Sequence, residues 1–467
     1  MNMKRTKIVA TISDKRCEVG FLKELYEAGM NVVRLNTAHQ TLDEAMKVVN
    51  NVRAVSEKIA LLIDTKGPEV RTTGIEVPVR VEKGDIVFMS GNPEVKEERM
   101  IHVSYDNFVR DVQVGAKVLI DDGDVEFIVR SKEEDRLELV ASNPGEIKNK
   151  KSINVPGVNM HLESLSNKDR TFIDFAVKNN LDFIAHSFVR SKEDVLEIQQ
   201  ILNEHHSHIK IIAKIENQEG VDHIDEILDH VYGVMVARGD LAIEIDAEKI
   251  PRIQRMIVNK CIESKKPVII ATQMLHTMID HPRPTRAEVS DIANAVFSGT
   301  DAIMLSGETA YGDYPLEAVK VMAKVAEANE STTPPDSNRN LIRINNEITA
   351  ALARVAVRMT TMLPIRAIVV DTISGRTARY LSAFRGGLAV YARCYDKQVM
   401  RELALSYGVQ SYFSVKPSSR DEFMRDIPKM LLEKGYGPED QILVIGGSFG
   451  HVRGASFLEV CKISDIK

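Results

Sequence analysis

The feature that most restricts the folds open to this chain is a unit that recurs eight times, a short run of buried-type residues followed by a stretch with helical periodicity. The runs are Thr6 to Thr11, Asn31 to Leu35, Ile59 to Asp64, Asp182 to His186, Ile209 to Ala213, Tyr232 to Ala237, Pro267 to Thr272 and Asp301 to Leu305. Between them apolar residues return at the 3, 4, 3 spacing of a helix with one buried face, as in Leu42, Ala45, Val49, Val52 and in Leu316, Val319, Ala323, Ala326. Eight strands each followed by a helix predict a (β/α)8 (TIM) barrel rather than an open sheet, because a sheet of that width would show a change of composition at its edges.

The pattern breaks between the third and fourth units. From about residue 71 to 154 apolar residues alternate singly, as in Val77, Val79, Val81 and in Val125, Phe127, Val129, with Asp122-Gly123 and the polar run Lys132 to Asp135 as turns. This predicts a small antiparallel β domain inserted at the carboxyl end of a strand, over the barrel mouth, in the position of a lid. After the eighth unit comes a polar, proline-bearing linker, Ser331 to Asn340. A helix with its stripe at Ile348, Leu352, Val355 and Met359 follows, then strands at Ala367 to Asp371, Leu388 to Ala392, Gln410 to Val415 and Gln441 to Ile445, which predict a separate open α/β domain. The expected organisation is a barrel over residues 1–70 and 155–332, an inserted β-barrel lid over 71–154, and a C-terminal α/β domain over 341–467.

Composition narrows the function. Apolar content of 44% and charged content of 27% are those of an ordinary globular protein, and a net charge of −6 argues against general nucleic-acid or membrane binding while leaving room for a local basic pocket. Cys17, Cys261, Cys394 and Cys461 stand singly with no Cys-x-x-Cys, so neither a disulfide framework nor a zinc site is expected and the compartment is reducing. The apolar run in NMKRTKIVATISDKR, after Met1, is too short for a signal-peptide core or a membrane span, which makes a cytoplasmic location the expectation.

Chemistry concentrates where the strands end. In IIAKIENQEGVDHIDEILDHVYGVMVARGDLAIE, Ile211 to Glu244, two buried strands, Ile211 to Ala213 and Val234 to Ala237, are joined by a helix over roughly Gly220 to His230. The first strand runs out into Lys214, Glu216 and Asn217 and the second into Arg238 and Asp240, so one unit presents a lysine and two carboxylates from a single sheet edge. In a parallel α/β sheet that edge is where loops open and helix N-termini offer unpaired N–H groups. Lys-x-Glu pairs are usually surface decoration; here they follow buried runs, and the placement carries the signal. The other strand ends add Arg34 and Asn36, Asp64 and Lys66, Ser187 and Arg190, Thr272 and Gln273, and Ser306 and Glu308. Arginines and lysines converging beside carboxylates suit a phosphate-bearing substrate together with a divalent cation. Neither G-x-x-x-x-G-K nor G-x-G-x-x-G occurs, so a nucleotide would be gripped through side chains and metal.

These residues resemble the pyruvate kinase family. The resemblance rests on RTKIVATI from Arg5, MNVVRLN ending at Asn36, LIDTKGPEVRT from Leu62, INVPGVN from Ile153, IIAKIENQEGV, MVARGDLAIEI, PVIIATQML from Pro267, and PRPTRAEVSDIANAVFSGTDAIMLSGETAYGDYPLEA, Pro282 to Ala318. It covers the whole barrel, matches the insert in size and place, and reaches the C-terminal domain in outline. It implies glycolytic phosphoryl transfer from phosphoenolpyruvate to ADP, giving pyruvate and ATP. It implies further that Glu216 and Asp240 hold Mg²⁺ or Mn²⁺, that Lys214 faces the phosphoryl group in flight, and that the Gly239 and Asp240 N–H groups receive the substrate carboxylate. Arg34 would hold the substrate phosphate, while Asn36, His39, Arg71 and Lys151 would reach the nucleotide; His39 as a helix-cap or surface histidine is the alternative. Thr272 would sit beside the enolate carbon, with Ser306 in the proton network behind it.

In members that use K⁺ the ion's ligands fall here on Asn36, Ala38, Asp64 and Thr65, so one hydroxyl is missing, and members that work without K⁺ carry a lysine where this chain has Glu69. With Asp64 and Glu69 both acidic and no side chain at these positions replacing the ion's charge, a K⁺ requirement is expected. Other departures are RLNTAHQ, Arg34 to Gln40, for RLNFSHG, Ala242 for the last glycine of ARGDLG, and His276 for the glutamate after ATQML. In TISGRTAR the residues Thr372, Ser374, Gly375, Arg376 and Thr377 open a helix and form either an anion site or an ordinary capped helix. The resemblance implies a phosphorylated effector at that loop, a regulatory C-terminal domain and a homotetramer, while GGSFGHVRGASF differs from the family too much to name the effector. Two other classes stay open: a metal-dependent barrel lyase acting on pyruvate or oxaloacetate, which would need neither the insert nor Lys214, and a catalytically silent regulatory relative.

Overall fold

Eight parallel strands close on themselves: Lys7–Thr11, Val32–Asn36, Ala60–Asp64, Phe183–His186, Lys210–Ile215, Gly233–Ala237, Val268–Ala271 and Ala302–Leu305. The structure, a computed structural model, describes residues 4–330, 336, 338–447 and 454–466. Successive strand residues face opposite ways. Val9, Val32, Leu62, Ile212, Met235 and Ile269 pack in the lumen, whereas Ile8, Val33, Leu61, Ile211, Val234 and Ile270 meet the surrounding helices. Both faces are therefore apolar, which is why these strands read as unbroken buried runs. Several helices are started by reciprocal caps, Thr41 with Glu44, Ser166 with Asp169 and Thr285 with Glu288. The helix expected over Gly220 to His230 is instead two pieces, Gln218–Asp222 and Ile224–His230. They meet at His223, whose Nδ1 lies 3.0 Å from the Arg190 carbonyl oxygen of the neighbouring loop.

The insert leaves the carboxyl end of the third barrel strand and forms a second closed barrel. Its strands are Val70–Thr73, Ile86–Ser90, Met100–Val103, Lys117–Ile120, Val125–Lys132, Leu137–Ala141 and Ser152–Asn154, while Val79–Val81 and Gly145–Ile147 pair apart from it. Val125, Phe127 and Val129 point into its core as the alternation requires. Two expectations fail. Ile86–Ser90 and Met100–Val103 are parallel, so the domain is not wholly antiparallel, and Val77 lies 76% exposed outside any strand.

The C-terminal sheet runs in the order Val409–Phe413, Val390–Cys394, Ile365–Thr372, Gln441–Gly446, Phe457–Lys462. The last strand is antiparallel and was not expected; its half-buried residues show no two-residue alternation. The helix Glu347–Met362 turns its small side inward: Thr349, Ala350, Ala353, Ala356 and Val357 are buried, and Ile348 and Val355 of the expected stripe are exposed. Of the linker at 331–340, residues 331–335 and 337 lie outside the described residues, as do 448–453 of the GGSFGHVRGASF segment.

This domain closes the amino end of the barrel. Asp182 and Asp301, each one residue before a barrel strand, pair with Arg401 at 2.5 Å and Arg385 at 2.6 Å, and Lys7 donates to the Val409 carbonyl at 2.5 Å. Leu405 joins the lumen cluster from below. The opposite, carboxyl end stays open beneath the insert.

Candidate active site

The two-residue period that fills the lumen also builds the site. Past Val32 the same face carries Arg34 and Asn36, past Leu62 it carries Asp64, and past Ile212 it carries Lys214 and then Glu216. These side chains line a cleft of about 390 Å³, together with Ala38, His39, Thr65, Lys66, Glu69, Arg71 and Asp240. Ser187, Phe188 and Lys150 complete its wall.

At its centre is a buried charge network. Lys214 Nζ lies 3.1 Å from Asp64 Oδ1 and 2.9 Å from Glu216 Oε1, and donates to Ser187 Oγ at 2.7 Å. Arg34 Nε donates to Asp64 Oδ2 at 2.6 Å and its Nη1 to Thr11 Oγ1 at 2.9 Å. Burial alone would lower the Lys214 pKa, but Asp64 and Glu216 outweigh it and hold the ammonium above the usual lysine range. Burial would raise Asp64, yet Arg34 and Lys214 keep it below the ordinary aspartate range. For Glu216 burial wins: the carboxyl is pushed up to about 7, with Asp240 and Asp64 adding to the push and Lys214 opposing it. Its Oε2 accepts the Phe188 N–H at 2.6 Å, while Oε1, although near the ammonium, has no well-directed hydrogen bond. Asp240 stands in the first turn of the helix Arg238–Glu244. The cleft thus holds a carboxylate oxygen that is ion-paired with Lys214 but receives no well-directed hydrogen bond, a second carboxylate, and two cations able to meet an anion.

Other expected residues lie apart from the cleft. Thr272, Ser306, Gly239 and Lys151 do not line it. The Gly239 N–H is donated to Thr272 Oγ1 at 2.8 Å, so Thr272 sits beside the start of the Asp240 helix. Lys151 Nζ is 2.6 Å from Asp121 Oδ2 within the insert, and it is the neighbouring Lys150 that reaches the cleft. Arg190, Arg238 and Glu308, polar groups at strand ends, are structural: Arg190 pairs with Asp194, Arg238 with Asp291, and Glu308 accepts the Leu275 and Ser306 N–H groups. Thr272 itself adopts φ 68, a left-handed conformation costly for a β-branched residue, and Arg238 Nη2 donates to its carbonyl at 2.7 Å.

Glu69 is not the bare charge its position predicted. Arg71 Nη2 lies 2.5 Å from Glu69 Oε2, and Asp64 is neutralised by Arg34 and Lys214, so neither acid is left uncompensated. Sequence reasoning named Ser187 as a strand-end residue without giving it a role; it bridges Lys214, Asp64 at 3.2 Å and the Thr65 carbonyl at 2.6 Å. The only signal was a polar residue just past a buried run. At the C-terminal loop, Gly375 has φ 73 and the helix Arg376–Ala383 begins without a side-chain cap. Ser374 and Arg376 line a cavity, but Thr372, Gly375 and Thr377 do not.

The family described as pyruvate kinase, barrel domain matches residues 3–319, and that described as pyruvate kinase, alpha/beta domain matches residues 350–461. A pyruvate kinase of Borreliella burgdorferi is 49% identical over 100% of this chain and 98% of its own. One from Bacillus licheniformis is 41% identical over 99% of this chain and 81% of its own. The crystal structure of a pyruvate kinase from Cryptosporidium parvum superposes with a TM-score of 0.92 at 33% identity, covering 98% of this chain and 96% of that one.

Proposed function

The chain belongs to the pyruvate kinase family, and from that premise we propose how its cleft transfers the phosphoryl group of phosphoenolpyruvate to ADP, giving pyruvate and ATP. The observation that carries the reading is Lys214, largely buried and ion-paired between Asp64 and Glu216 beside Ser187 at the open end of the barrel. Charge moves from one oxygen to another during the transfer, and a fixed ammonium stabilises it there without reorganisation. Arg34 binds the substrate phosphate through guanidinium N–H groups that Asp64 and Thr11 leave unused. His39, Asn36, Arg71 and a lysine of the insert, Lys151 or Lys150, orient the nucleotide. Thr272 and Ser306 handle the proton at the enolate carbon, and the N–H groups of Gly239 and Asp240 receive the carboxylate, Gly239 giving up its bond to Thr272.

Glu216 and Asp240 fit a hard divalent cation, because Glu216 Oε1 is a buried oxygen without a directed donor. Among the described residues no group of three or more His, Cys, Asp or Glu side chains could hold a metal, so the remaining positions fall to substrate and water, as Mg²⁺ commonly arranges. When bound, the cation neutralises the substrate's carboxylate and phosphate. For K⁺, the oxygens of Asn36, Asp64 and Thr65 are the donors. Support for it comes from that donor set and not from excess negative charge, since Asp64 and Glu69 are both paired.

The loop Thr372, Ser374, Gly375, Arg376, Thr377 is proposed as an effector site, supported by its uncapped helix start, and a homotetramer as the assembly, checked by sedimentation velocity. No helix among the described residues is long and apolar enough to cross a membrane. The test of the catalytic reading is a coupled assay for pyruvate formed from phosphoenolpyruvate, run with and without ADP and against oxaloacetate. ADP-dependent turnover is expected. Pyruvate from oxaloacetate alone would favour the lyase, and no turnover a silent relative.

A further inference from the structure

Where the insert joins the barrel, beside the catalytic cleft, lies a second hollow of about 320 Å³. Both crossovers of the chain line it, Pro68 to Val70 on the way into the insert and Ile153 to Leu162 on the way back. The barrel supplies the rest, from the loops after its fourth and fifth strands and from Glu244. Only Glu69 and Phe188 are shared with the cleft. Val158, Met160, Leu162 and Phe188 make an apolar wall, and the charged lining residues are Glu69, Arg190, Glu219, Asp222 and Glu244. Glu69 pairs with Arg71; Arg190 pairs with Asp194 and also donates to the Met160 and Leu162 carbonyls. With those partners counted, five carboxylates stand against two guanidinium groups. Glu219, Asp222 and Glu244 have no cation of their own among the described residues. Glu219 accepts from Asn159 Nδ2 at 2.6 Å and Asp222 from Gln218 Nε2 at 2.7 Å. Burial and then Glu219 raise the Glu244 carboxyl above the ordinary glutamate range, against the Gly157 N–H, so the two acids stand close enough to repel. Asn154, which also lines the hollow, has its Oδ1 buried with no hydrogen-bond partner.

We infer that this hollow binds a small organic cation, an amine with an apolar body, its ammonium between Glu219 and Glu244 and its body against Met160, Leu162 and Phe188. The reasons are chemical. An ammonium carries three donors and no acceptor, the complement of a wall whose free groups are carboxylate and amide oxygens. A charge there relieves the repulsion between the two glutamates, whereas an anion would add to it. An inorganic cation would leave the apolar wall unused, and among the described residues no group of three or more His, Cys, Asp or Glu side chains could hold a metal. The volume is at the small end of ligand pockets and suits one ring with a short chain. The inference stands apart from the phosphoryl-transfer reading, since neither Glu219 nor Glu244 lines the catalytic cleft. An occupant would touch both crossovers and the barrel at once, and so tie the insert to the barrel beside the cleft.

Calorimetric titration of the full-length protein with phenethylamine, 2-phenylethanol and 3-phenylpropionate tests it, because the three probes share a ring and differ in charge. The amine is expected to bind, the alcohol at least about tenfold more weakly, the worth of one charge-assisted hydrogen bond, and the carboxylate not at all. The double variant Glu219→Gln, Glu244→Gln keeps the acceptors that Asn159 and the Gly157 N–H use. It should lose at least about tenfold in affinity for the amine, with basal turnover unchanged as the sign that the fold is intact. Equal binding of amine and alcohol would mean that the acids select nothing, and would overturn the inference. So would a double variant that binds the amine as the wild type does, since the ammonium would then sit elsewhere. If the amine does not bind at millimolar concentration, the inference falls as well, while the phosphoryl-transfer reading is left standing.

Discussion

Lys214 stands between two acids, Asp64 far before it in the sequence and Glu216 two residues after it, and the fold brings its ammonium to face Asp64, Glu216 and Ser187 together. Replacing it with methionine should lower turnover by at least ~10²–10³, the worth of one donor aimed at developing charge. Thermal unfolding followed in parallel separates this from loss of fold, since the variant leaves the buried Glu216 without its cation, while Asp64 keeps Arg34. A variant that keeps a tenth of wild-type turnover would defeat the assignment. Glu216→Gln is expected to act first on the divalent cation, moving the Mg²⁺ titration of activity to higher concentration; an unmoved titration would count against Glu216 as a ligand. Ala38→Ser restores the missing hydroxyl beside Asn36 and Thr65, and should lower the K⁺ concentration needed for half-maximal rate. Rates in K⁺ against tetramethylammonium at equal ionic strength measure it, and full activity without K⁺ would sink that reading. Here the structure changes the argument: the ion-paired Glu69 and Asp64 mean that K⁺, where it acts, orders oxygens and does not cancel bare charge.

At the scale of elements, what was legible in the sequence is what local period dictates. The eight barrel strands show because they are apolar on both faces, and Arg34, Asp64, Lys214 and Glu216 show because the period that fills the lumen continues into them. The bridge through Ser187 was illegible, because it depends on how side chains from different strand ends turn toward each other, whereas the pairing of Arg71 with Glu69, two residues apart, lay within reach of the local period and was missed. The stripe expected on the helix Glu347–Met362 was half right: Leu352 and Met359 pack against the core, while Ile348 and Val355 are exposed. Large apolar residues drew the stripe, but the close approach of that helix to the sheet is made by Ala350, Ala353 and Ala356. Ala353→Leu should therefore destabilise the protein by roughly 1–3 kcal/mol through overpacking, measured by chemical denaturation. Wild-type stability in that variant would show that the helix face has been misassigned.

Across the whole molecule, catalysis and its supporting domain occupy opposite ends of one barrel, and the join at the amino end is made of buried charge. Arg385 pairs with Asp301 and Arg401 with Asp182, while Arg5, paired with Glu330 of its own domain, donates to the Gly386 carbonyl across the join. Lys7 is the exception, since it has no carboxylate of its own and donates to the Val409 carbonyl of the other domain. Burial, with Lys4 beside it, pushes its ammonium down from 10.5 to about 7 against the pull of Glu330 and Asp301. In the unfolded chain such a lysine keeps its proton to about pH 10.4. Between the two values the unfolded state holds a proton that the folded state has lost, so this group makes the protein more stable as pH rises from about 7, by at most ~1.4 kcal/mol per pH unit. Lys4, lowered to about 8, acts in the same direction over the upper part of the window. Unfolding free energy measured at pH 7, 8 and 9 should therefore climb with a smaller slope in Lys7→Met than in the wild type, by up to the equivalent of one proton, and the variant should gain most on the wild type at pH 7. Equal slopes in the two proteins would mean that Lys7 stays charged in the closed interface, held by Glu330 and Asp301 after all.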